Sequence, residues 1–243
     1  MIYLTGATNA ATEPFLVQRG FGLMVQPGNS MHLRIARYPW WAADNGAFGG
    51  KWTEARHMDW LAALPRDRCL FAVSPDVYPD ARESLRRGLE FAPVLRDMGF
   101  PVAVVAQDGA EQLTWPWEEM DCLFIGGERK SPGRSEWKES AEAEQLVRRA
   151  RARGLWVHMG RVNTPRRLQR AWRMGVLSCD GTLIKYLRRR LADETPEARD
   201  ARFNGAIATF ARALDAPPLP LHRWEAPSHS EHRKANALAR LEG

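Results

Sequence analysis

Short runs of apolar and β-branched residues recur along the chain, each closed by a polar or glycine-containing turn. They are Ile2–Thr5, Phe21–Val25, Trp40–Ala43, Leu70–Ser74, Val102–Ala106, Leu123–Ile125, Trp156–Met159 and Val176–Cys179. A strand with one wet face alternates in polarity; these runs are hydrophobic almost throughout, as parallel strands covered on both faces are. Amphipathic stretches with helical spacing lie between them, clearest at Thr53–Leu64, Ala81–Met98, Glu136–Arg153 and Thr164–Met174. In the second, Leu85, Leu89, Ala92 and Leu95 form one stripe and Gly99 closes it. Thr164-Pro165 reads as an N-cap with proline at the first helical position, and Gly175 as the stop. Strands alternating with helices predict a parallel α/β fold, and eight strands predict a TIM-type (β/α)8 barrel rather than an open doubly wound sheet. The connection Gln26–Arg37 shows no obvious helix, and the insert Glu111–Met120 is short.

Beyond the eighth run, Leu183–Leu191 reads as a basic amphipathic helix carrying Lys185, Arg188, Arg189 and Arg190, and Pro196–Leu214 as another helix. From Ala216 onward Pro217, Pro218, Pro220 and Pro227 break any regular pattern. The expected organisation is a barrel domain over residues 1–215 and a C-terminal tail over 216–243 that either packs on the barrel or serves as an arm.

Composition narrows the class. With 243 residues the chain suits one main domain, and 44% hydrophobic with 26% charged residues describe a soluble globular protein. No apolar run approaches the roughly 20 residues of a membrane-spanning helix, and the N-terminus lacks the features of a secretory signal, so a cytoplasmic location is expected. Three cysteines, Cys69, Cys122 and Cys179, are an odd count beside strand-like runs, which favours buried thiols over disulfides or a zinc cluster. A net charge of +6 and a pI near 9.6 suit a polyanionic partner, although an arginine-rich surface of solvated helices reads the same way.

Candidate chemistry sits where the runs stop. In a parallel barrel the residues beyond the carboxyl ends of the strands converge on one face. Here they are Asp44, Asp76, Gln107-Asp108, Gly126-Gly127, Gly160-Arg161 and Asp180. Clustered acids raise one another's pKa, so one can hold a proton while another stays charged, which divides the roles of proton donor and nucleophile. Each acid alone has a plainer explanation: Asp44-Asn45-Gly46 is ordinary turn chemistry, and Asp76 and Asp180 stand where turn acids or helix caps occur. Metal binding competes for the same acids, but no His-x-His pair joins them, and His158 lies within an apolar run as a core or rim histidine would. His222, His229 and His232 fall in the tail without cysteine partners. No P-loop or dinucleotide glycine motif occurs, and no cofactor is required.

The order of these segments resembles the guanine transglycosylases, which exchange a base in nucleic acid, and within them the phage-type enzymes that place 7-deazaguanine derivatives in DNA. Asp44-Asn45-Gly46-Ala47-Phe48 looks like that family's Asp-Ser-Gly-(Gly/Ala)-Phe, and Ser74-Pro75-Asp76 like its second acidic strand end. Val105-Ala106-Gln107-Asp108-Gly109 is similar to its Val-Gln-Gly segment, Ile125-Gly126-Gly127 to its Ile-Gly-Gly, and His158-Met159-Gly160 with Val176–Gly181 to the stretch bearing its nucleophilic aspartate. The likeness runs over residues 40–182. Asn45 stands where serine is usual, and Ala47 in place of a glycine.

The resemblance implies that Asp180 is the nucleophile at C1′ and Asp44 the acid and base. It makes Asp76, Gln107, Gly126, Gly127 and Phe48 the base pocket, with Asp80 a rival for Asp76 and Asp108 able to share the part of Gln107. Arg129, Lys130, Arg161, Lys185 and Arg188 are its candidate phosphate contacts. The partners implied are DNA presenting a flipped or single-stranded guanine and a free 7-deazaguanine base, with a homodimer left open. The zinc-binding cysteine cluster of the tRNA-acting branch has no counterpart here, which favours DNA over tRNA. A non-catalytic nucleic-acid-binding barrel and a metal-dependent barrel hydrolase are the rival classes.

Overall fold

Eight parallel strands close into a barrel in chain order, with β8 pairing back to β1. They are β1 (Ile2–Thr5), β2 (Gly22–Val25), β3 (Trp41–Ala43), β4 (Cys69–Val73), β5 (Val102–Ala106), β6 (Cys122–Ile125), β7 (Trp156–Met159) and β8 (Ser178–Gly181). The computed structural model describes residues 1–6, 12–47, 52–127, 137–182 and 184, with isolated positions between 195 and 208. The predicted (β/α)8 barrel is therefore the fold. The predicted basic helix at Leu183–Leu191 and the tail from residue 216, with His222, His229 and His232, lie outside the described residues apart from Ile184, and so does the boundary between barrel and tail.

The helices that cover the sheet among the described residues include α1 (Glu13–Gln18), α2 (Glu54–Ala62), α3 (Ala81–Asp97), α4 (Ala141–Arg151) and α5 (Pro165–Met174). Their ends follow side-chain chemistry. Asp80, Ser140 and Thr164 accept from the backbone N–H groups of Glu83, Ala143 and Arg167, which are donors that the first helical turn leaves unpaired. Gly175 ends α5 in the left-handed conformation at φ 93°, as the sequence predicts. Short 3₁₀ turns serve elsewhere. The predicted helix at Glu136–Arg153 is a 3₁₀ turn at Trp137–Glu139 followed by α4, because Ser140 caps the chain between them. The supposedly helix-free connection after β2 holds a 3₁₀ helix at Ser30–Arg37, tied to α1 by Arg34 and Arg37, which both donate to buried Glu13.

Why nearly every strand residue is apolar follows from two cores. Tyr3, Leu23, Trp41, Val104, Leu123 and Val157 face the helices, whereas Leu4, Met24, Ala42, Val105, Cys122 and Trp156 fill the barrel interior. All three cysteines are buried and unpaired, as predicted. Among the described residues no helix is long and apolar enough to cross a membrane.

The pleat sets what reaches the mouth. Side chains alternate along a strand, so the inward series Ala42, Val105, Phe124, His158 and Ser178 continues two residues later as Asp44, Gln107, Gly126, Gly160 and Asp180. One sequence boundary shifts here. The predicted strand Val176–Cys179 begins later and includes Asp180 and Gly181, because β1 keeps pairing with them at Leu4↔Asp180 and Thr5↔Gly181. A β-carbon added to Gly181 would meet Asn163 Oδ1 at 2.4 Å, Tyr3 Oη at 2.5 Å and the Val162 carbonyl oxygen at 2.8 Å. The carbonyl belongs to a backbone that donates to and accepts from its neighbours and cannot swing aside. Gly181→Ala is expected to lower stability by about 2–3 kcal/mol, visible as a lower thermal midpoint at unchanged helical signal.

Candidate active site

A cavity of about 110 Å³ opens at the carboxyl end of the barrel. Asp44, Asp76, Gln107, Gly126, Gly127 and Asp180 all line it, together with Arg161. The predicted base-contacting and catalytic residues thus converge, with three exceptions. Phe48 lies outside the described residues, as do Arg129, Lys130, Lys185 and Arg188 among the predicted phosphate contacts. Asp108 does not line the cavity: its carboxylate stands behind Gly127, at 3.0 Å from where a β-carbon of that glycine would be. Asp80, the rival of Asp76, is spent as the N-cap of α3.

Asp76 is held from two strands. Asn45 Nδ2 donates to Asp76 Oδ1 at 3.0 Å and to the Ser74 carbonyl at 2.8 Å, while Gln107 Nε2 donates to Asp76 Oδ2 at 2.8 Å. Gln107 is itself fixed, since its Oε1 accepts from the Gly127 N–H at 2.9 Å. Asn45, at 3% exposed, also accepts from the Ala47 N–H through Oδ1. Asparagine suits this position, because an amide reaches from β3 to β4 and offers a donor and an acceptor, where a hydroxyl is too short. A carboxyl group gripped by two amide donors, one on each oxygen, keeps its remaining lone pairs for whatever enters the cavity.

Across the cavity, Asp180 rests on a buried relay. Trp156 Nε1 donates to Ser178 Oγ at 2.7 Å, Ser178 Oγ lies 2.8 Å from His158 Nδ1, and His158 Nε2 lies 3.2 Å from Asp180 Oδ1. Burial pushes the His158 pKa down despite the neighbouring Asp180, so the ring is neutral. With tryptophan able only to donate, every contact is satisfied when serine donates to Nδ1 and the Nε2–H donates to Asp180. The Arg161 backbone N–H donates to the same Oδ1 at 3.2 Å, from a residue in the left-handed region at φ 58°. Such a backbone is costly for a non-glycine residue, and here it aims a donor at the carboxylate. Oδ2 of Asp180 has no hydrogen-bond partner among the described residues.

Asp44 differs from the other acids. Its pKa is raised from the ordinary value to about 7, first by loss of water around it, then by the negative charge of Asp180, with Asp76 adding less. Near neutral pH it is poised between donor and acceptor of a proton. The sequence alone marked His158 as a core or rim histidine, and it is buried at 0% exposure; what went unseen is that the same ring bonds Asp180. Lys138 was also missed, because it lies in no strand-end motif, yet it lines the cavity while 4% exposed. Its one sequence signal is position, a short way beyond Gly126-Gly127 and before α4. No group of three acid, histidine or cysteine side chains among the described residues is arranged to hold a metal ion.

No protein-family model matches this sequence, and no curated protein matches it either. Among solved structures the chain is similar to the YdjI aldolase from Escherichia coli K12, with a TM-score of 0.52 and 15% identity over 88% of each chain. At that identity the likeness bears on the fold alone, and it agrees with a TIM-type barrel.

Proposed function

We propose that this barrel is a base-exchanging pentosyltransferase that replaces guanine in DNA with a 7-deazaguanine. The observation that carries the reading is the placing, across one cavity, of an anchored acceptor carboxylate at Asp76 with Asp180 and with Asp44, whose pKa is raised to about 7. Guanine presents N1–H and the N2 amino group as donors, and Asp76 accepts from both; adenine presents an acceptor at N1 and no amino group at C2 and would meet the carboxylate unpaired. Gln107 Nε2 uses one hydrogen on Asp76 and keeps a second for O6 of the base.

In the first half-reaction Oδ2 of Asp180 attacks C1′ of the nucleotide. The bond from C1′ to N9 breaks, its electron pair stays with the departing base, and Asp44 supplies the proton that makes the base neutral. In the second, the incoming base returns a proton to Asp44, its N9 attacks C1′, and Asp180 leaves as a carboxylate. Sharing the displacement between two steps suits a retained sugar configuration. The target guanine must leave the base stack to reach this depth, and the net positive charge of the chain favours the phosphate backbone that carries it. The absence from the sequence of a zinc-type cysteine cluster supports DNA as the polymer over tRNA.

The decisive experiment is incorporation of labelled guanine into DNA by the purified protein, followed by mass spectrometry of nucleosides from DNA co-expressed with the protein and a 7-deazaguanine supply. Failure to exchange on any nucleic acid, at intact DNA binding, would leave the non-catalytic reading instead. Within the same assay, His158→Leu is expected to lower kcat by roughly 10–100-fold at unchanged DNA affinity, since it removes the donor that orients Asp180 without touching the substrate. His158→Gln, which restores a donor, should recover part of that loss.

A further inference from the structure

A second cavity, of about 130 Å³, opens beside the first, and base exchange gives it no part. The turn beyond β3 and the start of α2 line it, through Asn45, Gly46, Trp52, Thr53, Arg56 and His57. Asn45 lines both cavities, so one side chain stands between them. What this lining offers is chiefly donors. Thr53 gives α2 no side-chain cap, so the N–H groups of the first turn are left to another acceptor. That helix is nine residues long, and its N-terminus carries a partial positive charge. Arg56 is exposed at the rim and forms no ion pair among the described residues. No acidic side chain is among the described lining residues; Glu54, the acid of the same turn, is exposed and outside the cavity.

A polar group stands unanswered in the cavity lining. His57 is 1% exposed, and neither of its ring nitrogens has a hydrogen-bond partner. The Trp52 indole N–H is likewise buried and unpartnered. Burial pushes the His57 pKa down to about 4, so the ring is neutral and has one N–H to give. Its sides are covered by the rings of Trp52 and Trp60, and the Arg87 guanidinium lies over the Trp52 ring at 4.3 Å, a further positive charge held near. Polar atoms buried without partners cost free energy that phenylalanine in the same place avoids, so histidine here calls for a ligand. An imidazole N–H, an indole N–H, an uncapped helix N-terminus and a guanidinium together suit an oxyanion with several acceptor oxygens.

We infer that this second cavity takes a phosphate group. A phosphate presents oxygens in several directions, to the helix N-terminus, to Arg56 and to the His57 N–H, and its charge suits all three. The source is a phosphodiester of the polynucleotide whose flipped base enters the first cavity, and that assignment alone rests on the base-exchange reading. With Asn45 common to both cavities, a phosphate held in the second would fix the sugar-phosphate chain relative to the base.

The test titrates the full chain with inorganic phosphate at constant ionic strength, following the His57 ring and Trp52 indole N–H signals by NMR, with the thermal midpoint as a second readout. Wild-type protein is expected to show saturable shifts at both residues and a midpoint that rises with phosphate. His57→Phe should weaken binding by about tenfold or more, the size of one hydrogen bond to a charged group, and should melt higher than wild type without phosphate because no unpartnered nitrogen remains. Arg56→Ala, at an exposed position that leaves the fold intact, should weaken binding by about threefold or more. A single-stranded oligodeoxynucleotide should displace phosphate from the wild type. Phosphate binding that DNA does not displace overturns the polymer as its source. Displacement by DNA without base exchange on any nucleic acid supports the phosphate site and defeats the base-exchange reading. Absence of shifts at His57 and Trp52, or binding unchanged in both variants, overturns the inference and leaves ordered water as the partner of His57.

Discussion

Asp180→Asn is expected to reduce guanine exchange by roughly 10³-fold or more while leaving DNA affinity within about threefold. The substitution keeps the shape of the side chain. The amide oxygen still accepts from the His158 Nε2–H and from the Arg161 N–H, so the relay beneath it stays in place. What disappears is the anionic oxygen that attacks C1′, for which an amide nitrogen is no substitute. Wild-type protein incubated with DNA should form an adduct that survives denaturing electrophoresis, and the variant should form none. A second consequence follows from the charge: Asp180 helps to hold the Asp44 pKa up, so in Asp180→Asn the Asp44 carboxyl should titrate at lower pH. Exchange surviving in Asp180→Asn within tenfold of wild type would remove Asp180 from the nucleophile's part.

Asp44→Asn is expected to lower exchange by roughly 10²–10⁴-fold, the usual worth of a placed acid and base, and to raise stability at the same time. The two effects share a cause. With its pKa raised to about 7, the carboxyl is protonated below neutral pH and ionised above it. Release of guanine needs the proton, so kcat/KM for DNA should hold below about pH 7 and fall above it; capture of the incoming base needs the carboxylate and should fall on the acid side. For stability, a folded-state pKa above the ordinary value of 3.8 means that the native state holds this proton more tightly than the unfolded chain. Stability is then lost as pH rises from 3.8 to about 7 and is constant beyond. At about 1.4 kcal/mol per pH unit the loss is at most ~4 kcal/mol, and asparagine does not incur it. Denaturant melts should find the variant more stable than wild type at pH 8 and equal to it at pH 4. A variant no more stable at pH 8 would show that Asp44 is not the strained acid of this site.

Much of the barrel was legible because hydrophobic periodicity and capping are local. Seven of the predicted strand runs differ from β1 to β7 by no more than one residue at either end, and Thr164 and Gly175 acted through their own backbone neighbours. The misplaced boundary at β8 has a tertiary cause: Asp180 and Gly181 carry no strand signal of their own and become strand because β1 lies beside them. The 3₁₀ helix at Ser30–Arg37 was hidden for a similar reason, since the ion pairs to Glu13 that brace it span more than 20 residues. At the site, the acids could be named from sequence because each closes an apolar run. Their partners could not. His158 and Asp180 are 22 residues apart, Asn45 and Asp76 are 31 apart, and Lys138 enters from a segment with no motif.

The sequence by itself determined the barrel class and the set of polar residues at its mouth, since a period of two and a stop signal are properties of consecutive residues. Only the tertiary structure decided which of those residues work together. Closure of the sheet made neighbours of β8 and β1, and the pairing of β3, β4 and β5 side by side brought Asp76 to Asn45 and Gln107. Burial and proximity then raised the Asp44 pKa to about 7, a shift that depends on excluded water and on Asp180 and that no stretch of chain encodes alone.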